Sequence, residues 1–164
     1  MNILFIQTGG TIDKDYPKVT KGYAFEITSP AVERILKDVN PSFDFEINSI
    51  LKKDSTEITD EDRKNILETC KNSVQDKILI THGTDTMKDT AEALSEIKNK
   101  TIVITGSMRP EMFSNTDADF NVGVAVGALN TLDNGVYVAM HGRVIDWRDL
   151  DRNMETGQFK SIRD

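Results

Sequence analysis

Short apolar segments alternate with helical patterns along this chain, and this alternation constrains its fold more than any other feature. The apolar segments are residues 3–7, 43–50, 78–81, 101–105 and 135–140. Several are nearly continuous in Ile, Val, Leu and Phe, as is typical of parallel strands that are covered on both faces. The alternation predicts an α/β fold, with a doubly wound, mostly parallel sheet and helices on both faces. Because the 164 residues contain no linker or internal repeat, we expect a single domain over residues 1–164.

Four segments between these strands carry helix signals. Ser29 supplies an N-cap for the first helix, and Pro30 suits its first helical position. The second helix begins after Thr59, where three consecutive carboxylates favour a helix N-terminus. The third begins at about Thr86, and the fourth spans about residues 117–129.

Charge and cysteine content exclude several classes of function. Twenty Lys and Arg against 27 Asp and Glu give a net charge of −7, so we expect no binding to nucleic acid or anionic membranes. The single Cys70 cannot form an intrachain disulfide, and no Cys/His cluster has the spacing of metal ligands. The longest apolar stretch is far shorter than the ~20 residues of a membrane-spanning helix. With no room for a signal peptide before the first strand, we expect a cytoplasmic protein.

Hydroxyls, carboxylates and glycines follow four of the strands, in residues 8–12, 53–56, 81–87 and 106–110. Each segment alone is compatible with a simple turn or helix cap. In doubly wound sheets, however, ligands bind beyond the carboxyl ends of the strands, where these segments converge. The sequence therefore predicts a polar pocket that is rich in hydroxyls and poor in histidine.

Only two histidines, His82 and His141, are available for general base catalysis, and neither lies in a recognisable nucleophile motif. We interpret His82 as a packed or hydrogen-bonded residue at the end of a strand. A hydroxyl nucleophile would then need activation by a lysine, a tyrosine or a second threonine positioned by a carboxylate. The glycines at 9 and 10 complete no nucleotide-binding motif, so we expect no cofactor and no metal.

Two segments resemble the signatures of the bacterial-type L-asparaginases and glutaminase-asparaginases. Thr8-Gly9-Gly10-Thr11-Ile12 is similar to the N-terminal signature, and His82-Gly83-Thr84-Asp85-Thr86-Met87 to the second one. Residues 105–110 and 114–123 also resemble the middle region of that family. The resemblance implies an amidohydrolase that converts L-asparagine and water to L-aspartate and ammonia through a threonine acyl-enzyme.

The resemblance also implies roles for individual residues. Thr11 matches the nucleophile, and a tyrosine after it, either Tyr16 or Tyr23, would assist; we favour Tyr16 from its spacing. Thr84 would orient or activate the attacking group, and Asp85 would hold the substrate ammonium group. The remaining substrate contacts would come from Gly10, Asp54, Ser55, Thr56 and Gly83.

This sequence departs from the family's pattern at Arg152 and at Asp13, and Lys88 is a nearby lysine that could be mistaken for the missing one. Arg152 stands where the family carries a lysine, and a guanidinium cannot relay a proton at neutral pH because its pKa is too high. Arg152 would instead act as a fixed positive charge. Lys88, four residues after Thr84, is interpreted as a residue of the solvated helix face. Asp13 stands where longer family members carry a small residue.

The resemblance implies a short, single-domain form without the usual C-terminal domain, which would complete its site as a homodimer or higher homo-oligomer. The segment 13–23 shows no strong helix or strand pattern, and we expect a mobile loop that closes on ligand. Three alternatives stay open: an amidase that prefers L-glutamine or another small amide, a catalytically weak amino-acid-binding module, and an ammonia-supplying subunit of a larger enzyme.

Overall fold

The computed structural model describes residues 1–18 and 25–164. Ten strands are present in this part of the chain: β1 (Asn2–Gly9), β2 (Lys14–Asp15), β3 (Glu26–Ile27), β4 (Asp44–Lys53), β5 (Lys77–Thr81), β6 (Thr101–Thr105), β7 (Gly135–Met140), β8 (Arg143–Asp146), β9 (Leu150–Arg152) and β10 (Phe159–Ser161). The helices are α1 (Ala31–Val39), α2 (Asp60–Asn72), α3 (Met87–Leu94) and α4 (Ala118–Thr131). Short 3-10 turns cover Thr11–Asp13, Ser55–Glu57 and Trp147–Asp149.

Six strands form the central sheet, in the order β4-β1-β5-β6-β7-β8. The first five run parallel, and β8 closes the sheet as an antiparallel edge strand beside β7. Two small antiparallel pairs, β2 with β3 and β9 with β10, lie outside this sheet. The predicted α/β fold with a mostly parallel sheet is confirmed.

Apolar side chains cover both faces of the sheet. Strand residues alternate between the faces, so that Leu4 and Ile6 join one core while Ile3 and Phe5 join the other. Helices α2 and α3 pack on the first face, and α1 and α4 pack on the second. The prediction of helices on both faces is therefore also confirmed, and it explains why the strand sequences are apolar almost throughout.

The strand order opens a crevice at the carboxyl ends of the parallel strands. Strand β1 has β4 on one side and β5 on the other, so the chain winds in opposite directions from it. At such a reversal, the connections leave the carboxyl ends of the two central strands on opposite faces and open a ligand crevice between them. The segments after β1, β4 and β5 meet there.

The start of the first helix differs from the prediction. Ser29 is not its N-cap and Pro30 is not its first helical residue; Pro30 precedes the helix, which begins at Ala31. The amide of Ala31 is instead bound by the side chain of Asp13, 18 residues earlier, at 2.7 Å. A cap supplied from a distant part of the chain replaces the local one because the helix N-terminus abuts the turn after β1.

The segment 13–23 also differs from the expectation of a patternless loop. Its residues Lys14 and Asp15 form β2 and pair with Ile27 and Glu26 of β3. A pairing of two residues is too short to leave an alternating pattern in the sequence. Residues 19–24, including Tyr23, lie outside the described part of the chain.

Candidate active site

Two glycines at the end of β1, Gly9 and Gly10, allow three strand ends to meet. Gly9 and Gly10 both have positive φ, 111° and 85°, a region that side chains disfavour. A Cβ atom on Gly10 would lie only 2.3 Å from the backbone nitrogen of Gly83, and one on Gly9 only 2.5 Å from the carbonyl oxygen of Lys53. The amide of Gly10 donates to that same oxygen at 2.9 Å. The backbone after β1 is therefore wedged between the ends of β4 and β5.

Ser55 ties the segment after β4 to the segment after β5. Its buried hydroxyl accepts a hydrogen bond from the amide of Asp85 at 3.2 Å, and its carbonyl oxygen accepts one from the Thr86 hydroxyl at 2.8 Å. A Cβ atom on Gly83 would lie 2.7 Å from the Ser55 hydroxyl oxygen. Of the predicted site residues, Ser55 thus packs against Gly83 and is hydrogen-bonded to Asp85.

The two residues beside Ser55 differ in their surroundings. Asp54 forms an ion pair with Lys14 of β2, with 2.8 Å between Oδ1 and Nζ. This pair anchors the start of the β2–β3 hairpin to the site. Thr56, in contrast, is exposed to solvent. Lys14 was not predicted as a site residue, because nothing in the sequence around it indicates a partner 40 residues away.

Thr11 begins the 3-10 turn that follows the wedged glycines, and it is half-buried. The turn is closed by a hydrogen bond from the Asp13 amide to the carbonyl oxygen of Gly10, at 3.2 Å. The next residue, Ile12, is fully buried in the core. Thr11 therefore lies at the strand junction, on a turn whose backbone is held at both ends.

Tyr16 lies in an aromatic cluster. Its ring centroid is 5.0 Å from that of Phe25 and 6.4 Å from that of Phe113, and the side chain is largely exposed. The hydroxyl-bearing ring is thus held against the segment after β6.

Arg152 of β9 reaches the site from the far end of the chain. Its Nη1 lies 3.1 Å from Oδ1 of Asp85, and its Nε donates to the carbonyl oxygen of Gly157 at 3.1 Å. The guanidinium carbon also lies 5.3 Å from the centre of the Phe159 ring. Three contacts fix this positive charge next to Asp85. Because the Asp85 side chain is 61% exposed, the pair adds little to stability, on the order of 0–1 kcal/mol.

A cleft of about 500 Å³ opens beside this ion pair. Its walls come from α3, β9 and β10 and the segments next to them, and are formed by Thr84, Asp85, Lys88, Asp89, Leu150, Asp151, Arg152, Met154 and Phe159. Lys88 is exposed, as predicted, but its ammonium group is not merely solvated. It donates to the carbonyl oxygen of Leu150 at 2.8 Å, which connects α3 to β9 across the cleft. In the sequence, only its spacing of four residues from Thr84 indicates that Lys88 lies near the site.

His82 supports the site from beneath. It is fully buried, with Nδ1 2.7 Å from the carbonyl oxygen of Gly83 and Nε2 2.8 Å from the Thr90 hydroxyl. A carbonyl oxygen only accepts, so Nδ1 carries the proton and Nε2 accepts from the hydroxyl. Burial lowers the pKa of His82 from 6.5 to about 4. The interpretation of His82 as a packed residue at a strand end is confirmed.

The described residues offer the parts for hydroxyl-based chemistry. Thr11 and Thr84 follow neighbouring strands, and Asp85 and Arg152 line the same cleft as Thr84. Within residues 1–18 and 25–164, no group of three or more His, Cys, Asp or Glu side chains could hold a metal ion. In the same residues, no helix has the length and apolar character needed to cross a membrane.

Comparisons with known proteins all match the same protein family. The family model described as "Asparaginase, N-terminal" matches residues 2–163. A glutaminase-asparaginase of Acinetobacter glutaminasificans is 31% identical over 174 residues, which cover 98% of this chain and 53% of the relative. L-asparaginase 2 of Escherichia coli (strain K12) is 31% identical over 175 residues, covering 98% and 49%.

A solved structure agrees with these sequence matches. The thermostable L-asparaginase from Thermococcus kodakarensis superposes with a TM-score of 0.84 at 30% identity, covering 98% of this chain and 51% of that one. The chain thus spans about half the length of the relatives that it matches.

Proposed function

The chain belongs to the asparaginase family, and from that premise we propose that it is an amidohydrolase that converts L-asparagine and water to L-aspartate and ammonia. One observation supports this most strongly. Gly10 packs closely against Gly83, and Ser55 accepts a hydrogen bond from the Asp85 amide. The Thr11 turn and the Thr84–Asp85 pair therefore both lie at the carboxyl ends of the central strands. This is where a doubly wound sheet binds its ligand.

In the proposed reaction, Thr11 is the nucleophile. Its hydroxyl oxygen forms a bond to the side-chain amide carbon, the carbon–nitrogen bond breaks, and the hydroxyl proton leaves with the nitrogen as ammonia. The acyl-enzyme is an ester. A water oxygen then forms a bond to the acyl carbon, and the ester bond between that carbon and the threonine oxygen breaks. One water proton goes to the threonine oxygen, which restores the hydroxyl and releases L-aspartate. Backbone amides of the glycine turn are suited to the developing oxyanion.

Tyr16 would assist the proton transfer from Thr11. Its ring packs on Phe25 and Phe113, and we propose that the segment that carries it moves toward Thr11 when substrate binds. The Lys14–Asp54 ion pair at the base of the hairpin would act as the fixed end of that movement. Tyr23 stays the alternative.

Substrate recognition would divide between the two ends of the amino acid. Asp85 would bind the α-ammonium group, in competition with Arg152, which already contacts one carboxylate oxygen. Residues 54–56 would face the α-carboxylate, and Lys14 offsets the charge of Asp54 there. Arg152 would serve as a fixed positive charge beside Thr84, because a guanidinium keeps its proton at neutral pH.

The first experiment is a measurement of ammonia release from L-asparagine and from L-glutamine, with Thr11→Ala as the control. Release from L-asparagine that the control lacks is the expected result. Equal release by Thr11→Ala would refute the nucleophile. Faster release from L-glutamine would assign the amidase alternative, since one methylene in a pocket changes specificity by only ~1–3 kcal/mol.

The binding-module alternative is carried by Arg152 and has its own test. The comparison uses wild type and Arg152→Lys, with melting temperatures recorded with and without L-aspartate. Absence of release in both proteins, together with a ligand-induced rise in melting temperature, would replace the enzyme by a binding module. If Arg152→Lys releases ammonia faster than wild type, the protein is an enzyme whose rate is limited by the fixed positive charge at position 152.

We also propose that the chain assembles as a homodimer or higher homo-oligomer, because a second copy would supply the cover that the family's C-terminal domain usually provides. Light scattering coupled to size-exclusion chromatography would test this. A monomer that releases ammonia at full rate would contradict it.

A further inference from the structure

Asp13 is a buried carboxylate that the proposed chemistry does not use. Its side chain is fully removed from solvent although it lies only two residues after Thr11. One carboxylate oxygen accepts from the Ala31 amide at 2.7 Å, at the N-terminus of α1. The other accepts from the Thr81 hydroxyl of β5 at 3.4 Å. A single carboxyl group thus connects the turn after β1 to a helix and to the neighbouring strand.

The backbone of Asp13 adds further connections. Its amide donates to Gly10, which closes the turn around Thr11. Its carbonyl oxygen accepts two hydrogen bonds from Thr28, one from the amide at 2.9 Å and one from the hydroxyl at 3.1 Å. The returning end of the β2–β3 hairpin is therefore attached to the same residue. Displacement of Asp13 would move both the Thr11 turn and the hairpin that carries Tyr16.

The groups that face the carboxyl are mostly hydrogen-bond donors. From β1 the amide of Gln7, whose Nε2 donates to the Thr28 carbonyl oxygen at 3.0 Å, lies nearby, and from α1 the Arg34 guanidinium supplies a positive charge. Arg34 is itself paired with the carboxylate of Glu111. Donors of this kind, with the N-terminal amide of α1, favour an ionised acceptor. Burial opposes them and dominates, so the pKa of Asp13 is raised to about 6.

We propose that Asp13, in its ionised form, is a positioning residue for Thr11, and that protonation of this carboxyl disables the site in mild acid. The inference rests on the proposed function. A neutral carboxyl would lose the charge-assisted bond to Ala31 and would bring a proton into a pocket lined by donors. The attachment of the Thr11 turn to α1 and β5 would then be weaker, while the core beneath it stays packed.

The test is the pH profile of ammonia release by wild type and Asp13→Asn between pH 4.5 and 9. Asparagine keeps the size and an acceptor oxygen but carries no titrating charge. We expect kcat of wild type to fall about tenfold per pH unit below a midpoint near pH 6, with KM little changed. Asp13→Asn should have a reduced kcat at pH 8, on the order of tenfold, and no such midpoint. The matched control is Asp38→Asn, an exposed carboxylate on α1, which should keep the wild-type profile.

A second measurement separates this inference from the proposed function. Carbon-13 NMR of the Asp13 carboxyl and the amide signal of Thr11 can be followed against pH in wild type, with or without turnover. A common midpoint near pH 6 supports the inference even if no ammonia is released. An Asp13 carboxyl that titrates below pH 4.5, a Thr11 amide that does not follow it, or an unchanged acid midpoint in Asp13→Asn would overturn it.

Discussion

The buried imidazole of His82 should contribute stability that is lost in acid, and a glutamine substitution should remove that contribution. In the folded state the ring is neutral and fully enclosed, with Gly83 and Thr90 as its hydrogen-bond partners. Unfolding exposes it to water, where its pKa returns to 6.5 from about 4. Below pH 6.5 the unfolded state therefore binds a proton that the folded state refuses.

The magnitude follows from this difference in pKa. A pKa that is lowered on folding contributes stability that is fully present above 6.5 and is lost as the pH falls toward 4. The difference of about 2.5 pKa units corresponds to about 3.4 kcal/mol at 1.36 kcal/mol per unit. Between pH 7.5 and pH 4.5, about 2.5 kcal/mol of this should be lost.

Wild-type unfolding alone would hide the effect, because Asp13 acts in the opposite direction. Its pKa is raised from 3.8 to about 6 on folding, so its contribution is fully present below 3.8 and is lost as the pH rises through 6. That contribution amounts to about 3 kcal/mol over nearly the same pH range. The two buried groups should offset each other, and only the difference between variants isolates either one.

The assay is urea unfolding followed by the fluorescence of Trp147, the single tryptophan. Free energies of unfolding are compared for wild type and His82→Gln at pH 7.5 and pH 4.5. The advantage of wild type over the variant should shrink by about 2.5 kcal/mol on acidification. Thr90→Ser keeps the hydroxyl donor and should retain the wild-type pH dependence. An advantage that stays constant to within about 0.5 kcal/mol would refute a neutral buried imidazole.

Two further predictions concern the glycine turn and the buried thiol. Gly10→Ala should destabilise the fold by at least ~2 kcal/mol and abolish ammonia release, because its Cβ would collide with Gly83 at a positive φ. Gly123→Ala is the matched control; it meets nothing within 4 Å on α4 and should stabilise by ~1 kcal/mol, so equal denaturation midpoints would contradict both expectations. Cys70 should resist Ellman's reagent at pH 8 until the chain unfolds, since burial raises its pKa to about 12. Rapid labelling of the native protein would show that its thiol is accessible.

Much of the fold can be read from local patterns in this sequence. The runs at 101–105 and 135–140 coincide with β6 and β7, because each strand is largely apolar on both faces. The start of α2 after Thr59 is equally local, since its cap accepts from the amide of Asp62 three residues on. The cap of α1 was predicted wrongly, because its acceptor comes from Asp13 instead of from a neighbour.

The site divides in the same way. The glycines, threonines and carboxylates after the strands are visible in the sequence, and the rule that ligands bind beyond parallel strand ends indicates where they meet. The contacts between them are not visible. Arg152 and Asp85 are 67 residues apart, and the pairing of Lys14 with Asp54 and of Lys88 with Leu150 leaves no periodic signal.

The sequence by itself determined the five parallel strands, the approximate extents of the four helices and the chemical inventory of the strand ends, because hydrophobic periodicity and turn chemistry act between near neighbours. Only the tertiary structure decided that β1 lies between β4 and β5 and that Asp13 is enclosed. Strand order sets which distant segments touch, and burial sets the charge state of a carboxyl or an imidazole. Both depend on groups brought together from several elements, and for that reason the protonation of Asp13 and His82 belongs to the folded molecule.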